Sequence, residues 1–155
     1  MKGNEQVLAA LNNLLSDELT AINQYMVHSE MCDNWRIAEL HKKIEERAIT
    51  EMKHAEKLIG RILFLEGIPI VSNLKKITIG ADVEAQFHND LALEHDAVKA
   101  YNEGIRLAYD LADNGSRELL DSILTDEEEH VDWLEAQLDQ IKMMGTQAYL
   151  VEQVD

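Results

Sequence analysis

The stretch Gly67-Ile68-Pro69-Ile70-Val71-Ser72-Asn73-Leu74-Lys75-Lys76-Ile77-Thr78-Ile79-Gly80 contains a proline and has no sustained helical face. A helix of 28 residues is about 42 Å long. Fourteen extended residues span roughly 46 Å. The segment can therefore run the length of a helical bundle and start the next helix at the opposite end.

Helical periodicity is clear on both sides of it. Before it, Val7, Leu11, Leu14, Leu15, Ile22 and Tyr25 share one face, and Ile37, Leu40, Ile44, Ala48, Ala55, Leu58 and Ile62 share another. After it come Phe87, Leu91, Val98, Tyr101 and Ile105, then Leu120, Ile123, Val131, Leu134, Leu138 and Ile141. Asp33-Asn34 and Asp113-Asn114-Gly115-Ser116 are short turn signals, with Gly115 expected at positive φ and Ser116 as an N-cap. Each short turn implies an antiparallel hairpin. The expectation is an all-α fold: a four-helix bundle with one long crossover and a short C-terminal fifth helix from Thr146 to about Val151.

The 155 residues fit a single domain, 1–155. The net charge is −16, from 30 acidic against 14 basic residues. Such a field repels polyanions, so phosphate-driven nucleic-acid binding and anionic membrane surfaces are disfavoured, and cations are attracted. Cys32 is the only cysteine, which excludes an intrachain disulfide and cysteine-based zinc or iron–sulfur sites. The first residues lack the apolar run of a signal peptide, and Leu58 to Val71, the most apolar stretch, is interrupted by Arg61 and Glu66. The expected location is cytoplasmic.

Two halves repeat at an offset of 76 residues. Glu51-Met52-Lys53-His54 and Glu127-Glu128-Glu129-His130 are both Glu-x-x-His, and Glu18 pairs with Glu94 at the same offset. So do Leu15 with Leu91, Ala21 with Ala97, and Tyr25 with Tyr101. Glu18, Glu51, Glu94 and Glu127 all interrupt apolar rows and point inward; His54 and His130 lie one turn from their glutamates on the same face. Arg47, Lys53 and Lys99 do not fall on those rows.

Four buried carboxylates without counter-charge would repel strongly. Two unit charges at 4 Å cost about 4 kcal/mol at an effective dielectric of roughly 20. Two divalent ions carry the charge that cancels four carboxylates. Oxygen-rich ligation with one imidazole per ion suits iron or manganese better than structural zinc, magnesium or calcium. A glutamate plus a Glu-x-x-His from each half is the pattern of carboxylate-bridged di-iron bundles. Glu51 and Glu127 are expected to bridge, Glu18 and His54 to complete one position, and Glu94 and His130 the other. Such a pair can pass two electrons to dioxygen or peroxide. Tyr25, two turns from Glu18, could supply a further electron, or equally be a core tyrosine with a bonded hydroxyl. Trp133 reads as packing. Asp126 is expected to accept from His54; its counterpart Thr50 is neutral, so the two positions should differ in affinity.

The whole chain resembles the bacterioferritins. The resemblance rests on Met1-Lys2-Gly3, Asn23-Gln24-Tyr25, Glu51-Met52-Lys53-His54-Ala55, Arg61-Ile62-Leu63-Phe64-Leu65-Glu66-Gly67, Ser116-Arg117-Glu118-Leu119-Leu120, and Asp126-Glu127-Glu128 leading to His130 and Asp132-Trp133-Leu134-Glu135. It implies a ferritin-like fold and a homo-oligomeric shell of roughly 24 subunits built from dimers. It also implies two iron ions per subunit, ferrous iron oxidation at the Glu/His cluster with dioxygen or peroxide, and storage of ferric mineral. It further implies a haem b shared between two subunits, with Met52 as the matching ligand from each, and electrons for iron release from a small ferredoxin. Some members carry a His and an Asp at the positions of Glu46 and Thr50; this chain lacks that inner-wall iron pair. The alternatives are a non-storage di-iron oxidase or peroxidase, which particle mass would distinguish, and a haem-carrying or purely structural bundle.

Overall fold

The computed structural model of residues 1–155 contains helices and no strand: α1 (Glu5–Asn34), α2 (Ala38–Phe64), α3 (Val83–Asp110), α4 (Asn114–Met144) and α5 (Thr146–Val151). The expected helical order and the fifth helix are present. Asn4 caps α1 by accepting from the Gln6 and Val7 N–H groups, and Asp82 caps α3 by accepting from Ala85 N–H. The α1/α2 and α3/α4 hairpins pack through α1 against α3 and α2 against α4, and α5 folds back on α4. No helix is long and apolar enough to cross a membrane.

The two hairpin turns repeat each other bond for bond. Trp35, Arg36 and Ile37 N–H donate to the carbonyls of Met31, Asp33 and Cys32; Leu111, Ala112 and Asp113 N–H donate to Leu107, Tyr109 and Ala108. In both, a left-handed residue ends the helix, Arg36 at φ 62° and Ala112 at φ 57°, with the long back-bond that closes this type of helix C-terminus. The expected roles in the second turn are therefore corrected. Gly115 does not take a positive φ; Ala112 does. Ser116 is not the N-cap; Asp113 is, accepting from Ser116 N–H at 3.0 Å and from its hydroxyl at 2.7 Å. Gly115 lies inside α4, where an added Cβ would stand 2.7 Å from the Arg61 guanidinium. That close approach lets Arg61 donate to Asp113 at 2.7 Å and to the Ser116 hydroxyl at 2.9 Å.

The crossover docks along α1 on a polar stripe at every fourth residue. Asn12 accepts from Ile70 N–H and donates to the Ile68 carbonyl; Ser16 donates to the Asn73 carbonyl. Thr20, Gln24 and His28 then accept from the backbone N–H of Lys75, Thr78 and Gly80. Asp90 of α3 joins the stripe, accepting from Gln24 at 2.8 Å and lying 2.9 Å from His28 Nδ1. These bonds satisfy a strandless, helixless backbone against the bundle.

The apolar core is split in two. One cluster includes Leu11, Leu15, Leu58, Ile62, Tyr101 and Ile123; the other includes Tyr25, Leu40, Ile44, Phe87, Leu134 and Tyr149. Glu18, Glu51, Glu94 and Glu127 lie between them in sequence on every long helix, and all four are buried.

Burial opposes ionisation of Asp113, but the hydrogen bonds from Ser116 and Arg61 outweigh it and hold the carboxyl below the usual aspartate range. A folded-state pKa below the unfolded value contributes stability above the unfolded pKa, lost as pH falls through the folded one. Asp113→Ala should lower the guanidinium unfolding stability by about 1–2 kcal/mol at neutral pH. The gap to wild type should narrow below roughly pH 4, and a gap constant through the acid range would contradict this account.

Candidate metal centre

Glu18 of α1, Glu51 and His54 of α2, Glu94 of α3, and Glu127 and His130 of α4 meet at mid-bundle, all buried. Each glutamate occupies an inner-row position where a neighbouring turn carries Leu, Ile, Ala or Val, so the helical register that builds the core also brings the carboxylates together. Ligand atoms of Glu18, Glu51, His54 and Glu127 lie within 4.8 Å of one another, and those of Glu51, Glu94 and His130 form a second such group. Glu51 belongs to both. His54 Nδ1 stands 3.0 Å from Glu127 Oε1, 3.4 Å from Glu51 Oε2 and 3.6 Å from Glu18 Oε2. His130 Nδ1 is 2.9 Å from Glu94 Oε1.

Glu18 Oε2 and Glu94 Oε2 are buried and accept no hydrogen bond, while Glu51 Oε1 and Glu127 Oε1 are met only by the charge contacts to Arg47 at 2.6 Å and to His54 Nδ1 at 3.0 Å. Buried acceptors of this kind are costly unless something positive occupies the space between them. The donor set of four carboxylates and two imidazoles suits two oxygen-loving transition-metal ions.

Two tyrosines cross-brace the cluster. The Tyr25 hydroxyl donates to Glu94 Oε1, and the Tyr101 hydroxyl donates to Glu18 Oε1 at 2.5 Å. Each tyrosine binds the glutamate of the opposite hairpin. Tyr101 was not among the expected site residues, although the 76-residue offset already paired it with Tyr25.

Arg47 corrects a second expectation. It does reach the inner cluster: Nη2 donates to Glu127 Oε2 at 3.0 Å and stands 2.6 Å from Glu51 Oε1, while Nη1 donates to the Asp126 carbonyl at 3.2 Å. Arg47 stands three residues after Ile44 and four before Glu51, on the inner row itself, and its long side chain carries the charge into the core where counting apolar positions misses it. The 76-residue offset pairs Arg47 with Ile123, an apolar residue of the inner face of α4 that is fully buried, and that pairing is the sequence signal for an inward Arg47.

The imidazoles differ in their outer contacts. His54 Nε2 lies 2.8 Å from Asp126 Oδ2, whereas Thr50 donates to the Glu46 carbonyl of its own helix. His130 instead stacks on Trp133, with centroids 6.0 Å apart, and meets the Tyr25 edge at 5.4 Å. Met52 faces away from the cluster and is 45% exposed.

Ionisation follows from this packing. Burial, then the neighbouring glutamates, push Glu18 and Glu127 well above the usual carboxylate range. Burial also opposes ionisation of Glu51 and Glu94. For Glu51, bonds from Glu18 and His54 and the Arg47 charge win and hold it low; for Glu94, bonds from Glu127 and His130 do so. Burial disfavours a charged His54, but Glu18 and Glu51 raise it to about 10. A cavity of about 330 Å³ between α1, α3 and the crossover reaches Glu18, Glu51, Glu94 and Glu127. Asp17, Lys75 and Asp96 line it as well, and Lys75 pairs with Asp17.

Residues 8–144 match the ferritin-like domain family. The chain is 42% identical to the bacterioferritin of Mycobacterium bovis over 96% of its length and 94% of that relative. It is 43% identical to the bacterioferritin of Rhodobacter capsulatus, over 96% of its length and 92% of the relative.

Burial pushes Glu18 and Glu127 toward their protonated forms and the neighbouring glutamates push His54 toward its charged form, so binding of divalent cations to this cluster should release protons. Calorimetric titration of metal-free protein with Zn(II) near neutral pH should show an apparent enthalpy that depends on buffer ionisation enthalpy, with affinity rising with pH. Identical heats in two such buffers would show that no protons leave.

Proposed function

The chain belongs to the bacterioferritins, the iron-storing branch of the ferritin-like proteins, and from that premise we propose that it oxidises ferrous iron at the buried Glu/His cluster and stores the ferric product inside a multi-subunit shell. The observation that carries the reading is the convergence of six buried ligand-type side chains, with an unpartnered oxygen on Glu18 and on Glu94. Ferrous ions are the substrate. The acid-lined cavity supplies a path to them from outside the bundle. Glu18 and His54 hold one ion, Glu94 and His130 the other, and Glu51 and Glu127 bridge. Two ferrous ions give up one electron each, and dioxygen with two protons becomes hydrogen peroxide, or peroxide with two protons becomes two waters.

The chain's own groups serve this turnover. Glu18, Glu127 and His54 release protons as ions bind, close to where reduced oxygen needs them. Tyr25 and Tyr101 orient Glu94 and Glu18 and exclude water from the cluster. Tyr25 also touches the His130 edge, which favours it as the site of any further one-electron oxidation.

A haem b fits the outer face of the hairpin. Met52 and Ile49, one turn apart on α2, are both about half exposed, as are Met26 and Val27 on α1. An apolar strip with an accessible thioether suits a porphyrin held by one Met from each of two subunits, and a soft axial sulfur raises the potential of a haem used for electron transfer. The family arrangement is a homo-oligomeric shell of roughly 24 subunits with closed symmetry. A small ferredoxin would deliver electrons for release.

Replacing Glu18 and Glu94 together by Ala should cut the initial rate of aerobic ferrous oxidation by more than the roughly 10–100-fold typical of losing a supporting residue. Fast oxidation in that variant would remove the cluster from the reaction. Light-scattering mass in solution should report a large shell; a stable dimer under the same conditions would favour the non-storage oxidase. Met52→Leu should abolish the haem Soret band and leave the initial oxidation rate unchanged.

A further inference from the structure

We infer that Arg47 is a displaceable internal cation: its guanidinium covers the bridging oxygens that the second metal position needs, so the two positions fill in a fixed order. This deepens the ligand reading above and rests on it.

The two bridging glutamates divide their oxygens. Glu51 Oε2 and Glu127 Oε1 face His54, at 3.4 Å and 3.0 Å. Glu51 Oε1 and Glu127 Oε2 face Arg47, at 2.6 Å and 3.0 Å. The position built on Glu18 and His54 therefore has two bridging oxygens free of the guanidinium, and an ion can settle there without moving it. The position built on Glu94 and His130 must draw its bridging donors from the oxygens Arg47 covers. A divalent ion and a guanidinium cannot share those oxygens, because like charges at contact distance repel. The first ion takes the Glu18/His54 position, and the second displaces Arg47.

The displaced side chain has somewhere to go. Arg47 is only 12% exposed, but it borders a groove of about 230 Å³ between α2 and α4 that Glu46, Thr50 and Glu129 also line. The Glu46 and Glu129 carboxylates can receive the guanidinium as it leaves. Before metal arrives, the same guanidinium supplies a buried positive charge to Glu51 and Glu127; once two ions are bound that charge is redundant.

The test is anaerobic titration of the metal-free, full-length protein with Co(II), followed by its visible spectrum, in wild type and Arg47→Gln. Wild type should bind two equivalents per chain in two steps, the second at least about tenfold weaker, the order of one charge-assisted hydrogen bond. Arg47→Gln should strengthen the second step by about that factor and leave the first nearly unchanged. Two equivalents with the same separation in both proteins overturns the role of Arg47 and leaves the ligand reading standing. Fewer than two equivalents in both overturns the two together. A crystal structure of wild type soaked in excess Co(II) tests the same point without a variant. The guanidinium should lie in the groove beside Glu46 and Glu129. Finding it still on Glu51 and Glu127 with both ions bound overturns the inference.

Discussion

Four carboxylates at the centre of an apolar bundle are the constraint on which the rest of this structure depends. Burying one unpaired carboxylate costs several kcal/mol, and four close together add mutual repulsion. Without metal, the molecule spreads the compensation over several groups. Arg47 pairs with Glu51 and Glu127, two tyrosine hydroxyls donate to Glu18 and Glu94, and His54 is driven toward its charged form. Glu18 and Glu127 are pushed toward their protonated forms by burial and by their neighbours. The arrangement is a compromise that still leaves one buried oxygen of Glu18 and one of Glu94 without a partner.

The scaffold has to hold that polar centre without a continuous core across it. Two apolar clusters, above and below, clamp the helices, and the turns fix their register. Because the left-handed residues Arg36 and Ala112 stand at the same offset as the ligands, each hairpin sets its glutamates at the same height. The crossover then ties the halves together along α1. Its hydrogen bonds to Asn12, Ser16, Thr20, Gln24 and His28 put a rigid strap beside the helix that carries Glu18. Lys75 of that strap pairs with Asp17, at the cavity that reaches the cluster.

Much of this was legible from residue spacing. Helical period, the unpatterned segment 67–80 and the 76-residue offset are properties of sequence order, and they dictate the hairpins, the crossover and the six inward Glu and His side chains. What escaped depends on side-chain reach and on backbone conformation. Arg47 shares the inner row with Ile44 and Glu51, but a charged residue among apolar positions reads as solvated, and its contact with the cluster depends on its length. Ala112 takes the left-handed conformation although Gly115 is the residue chemically suited to it, because hairpin register demands that conformation three residues earlier. The stripe from Asn12 to His28 has a four-residue spacing, but polar residues on a helix are usually solvated, and only a segment lying against them distinguishes a docking rail from a wet face.

Three departures from the duplication fall around the Glu/His cluster, and two of them act in the same direction. Asp126 stands 2.8 Å from His54 where the corresponding Thr50 turns to its own backbone. A carboxylate on the outer nitrogen strengthens an imidazole as a metal ligand. Arg47 occupies the position equivalent to Ile123, and its charge falls on the oxygens away from His54. Trp133, equivalent to Lys57, packs flat on His130 and limits how that ring can tilt. A duplicated hairpin with identical surroundings would make two equivalent positions. Here the Glu18/His54 side has Asp126 on its imidazole and bridging oxygens clear of Arg47, and on the proposed reading the Glu94/His130 side would face Arg47 as a competitor. On the proposed reading, oxidation by two electrons needs both ions together, so occupancy of the weaker position would govern when the pair is complete, and the residues that set it would be those that break the symmetry.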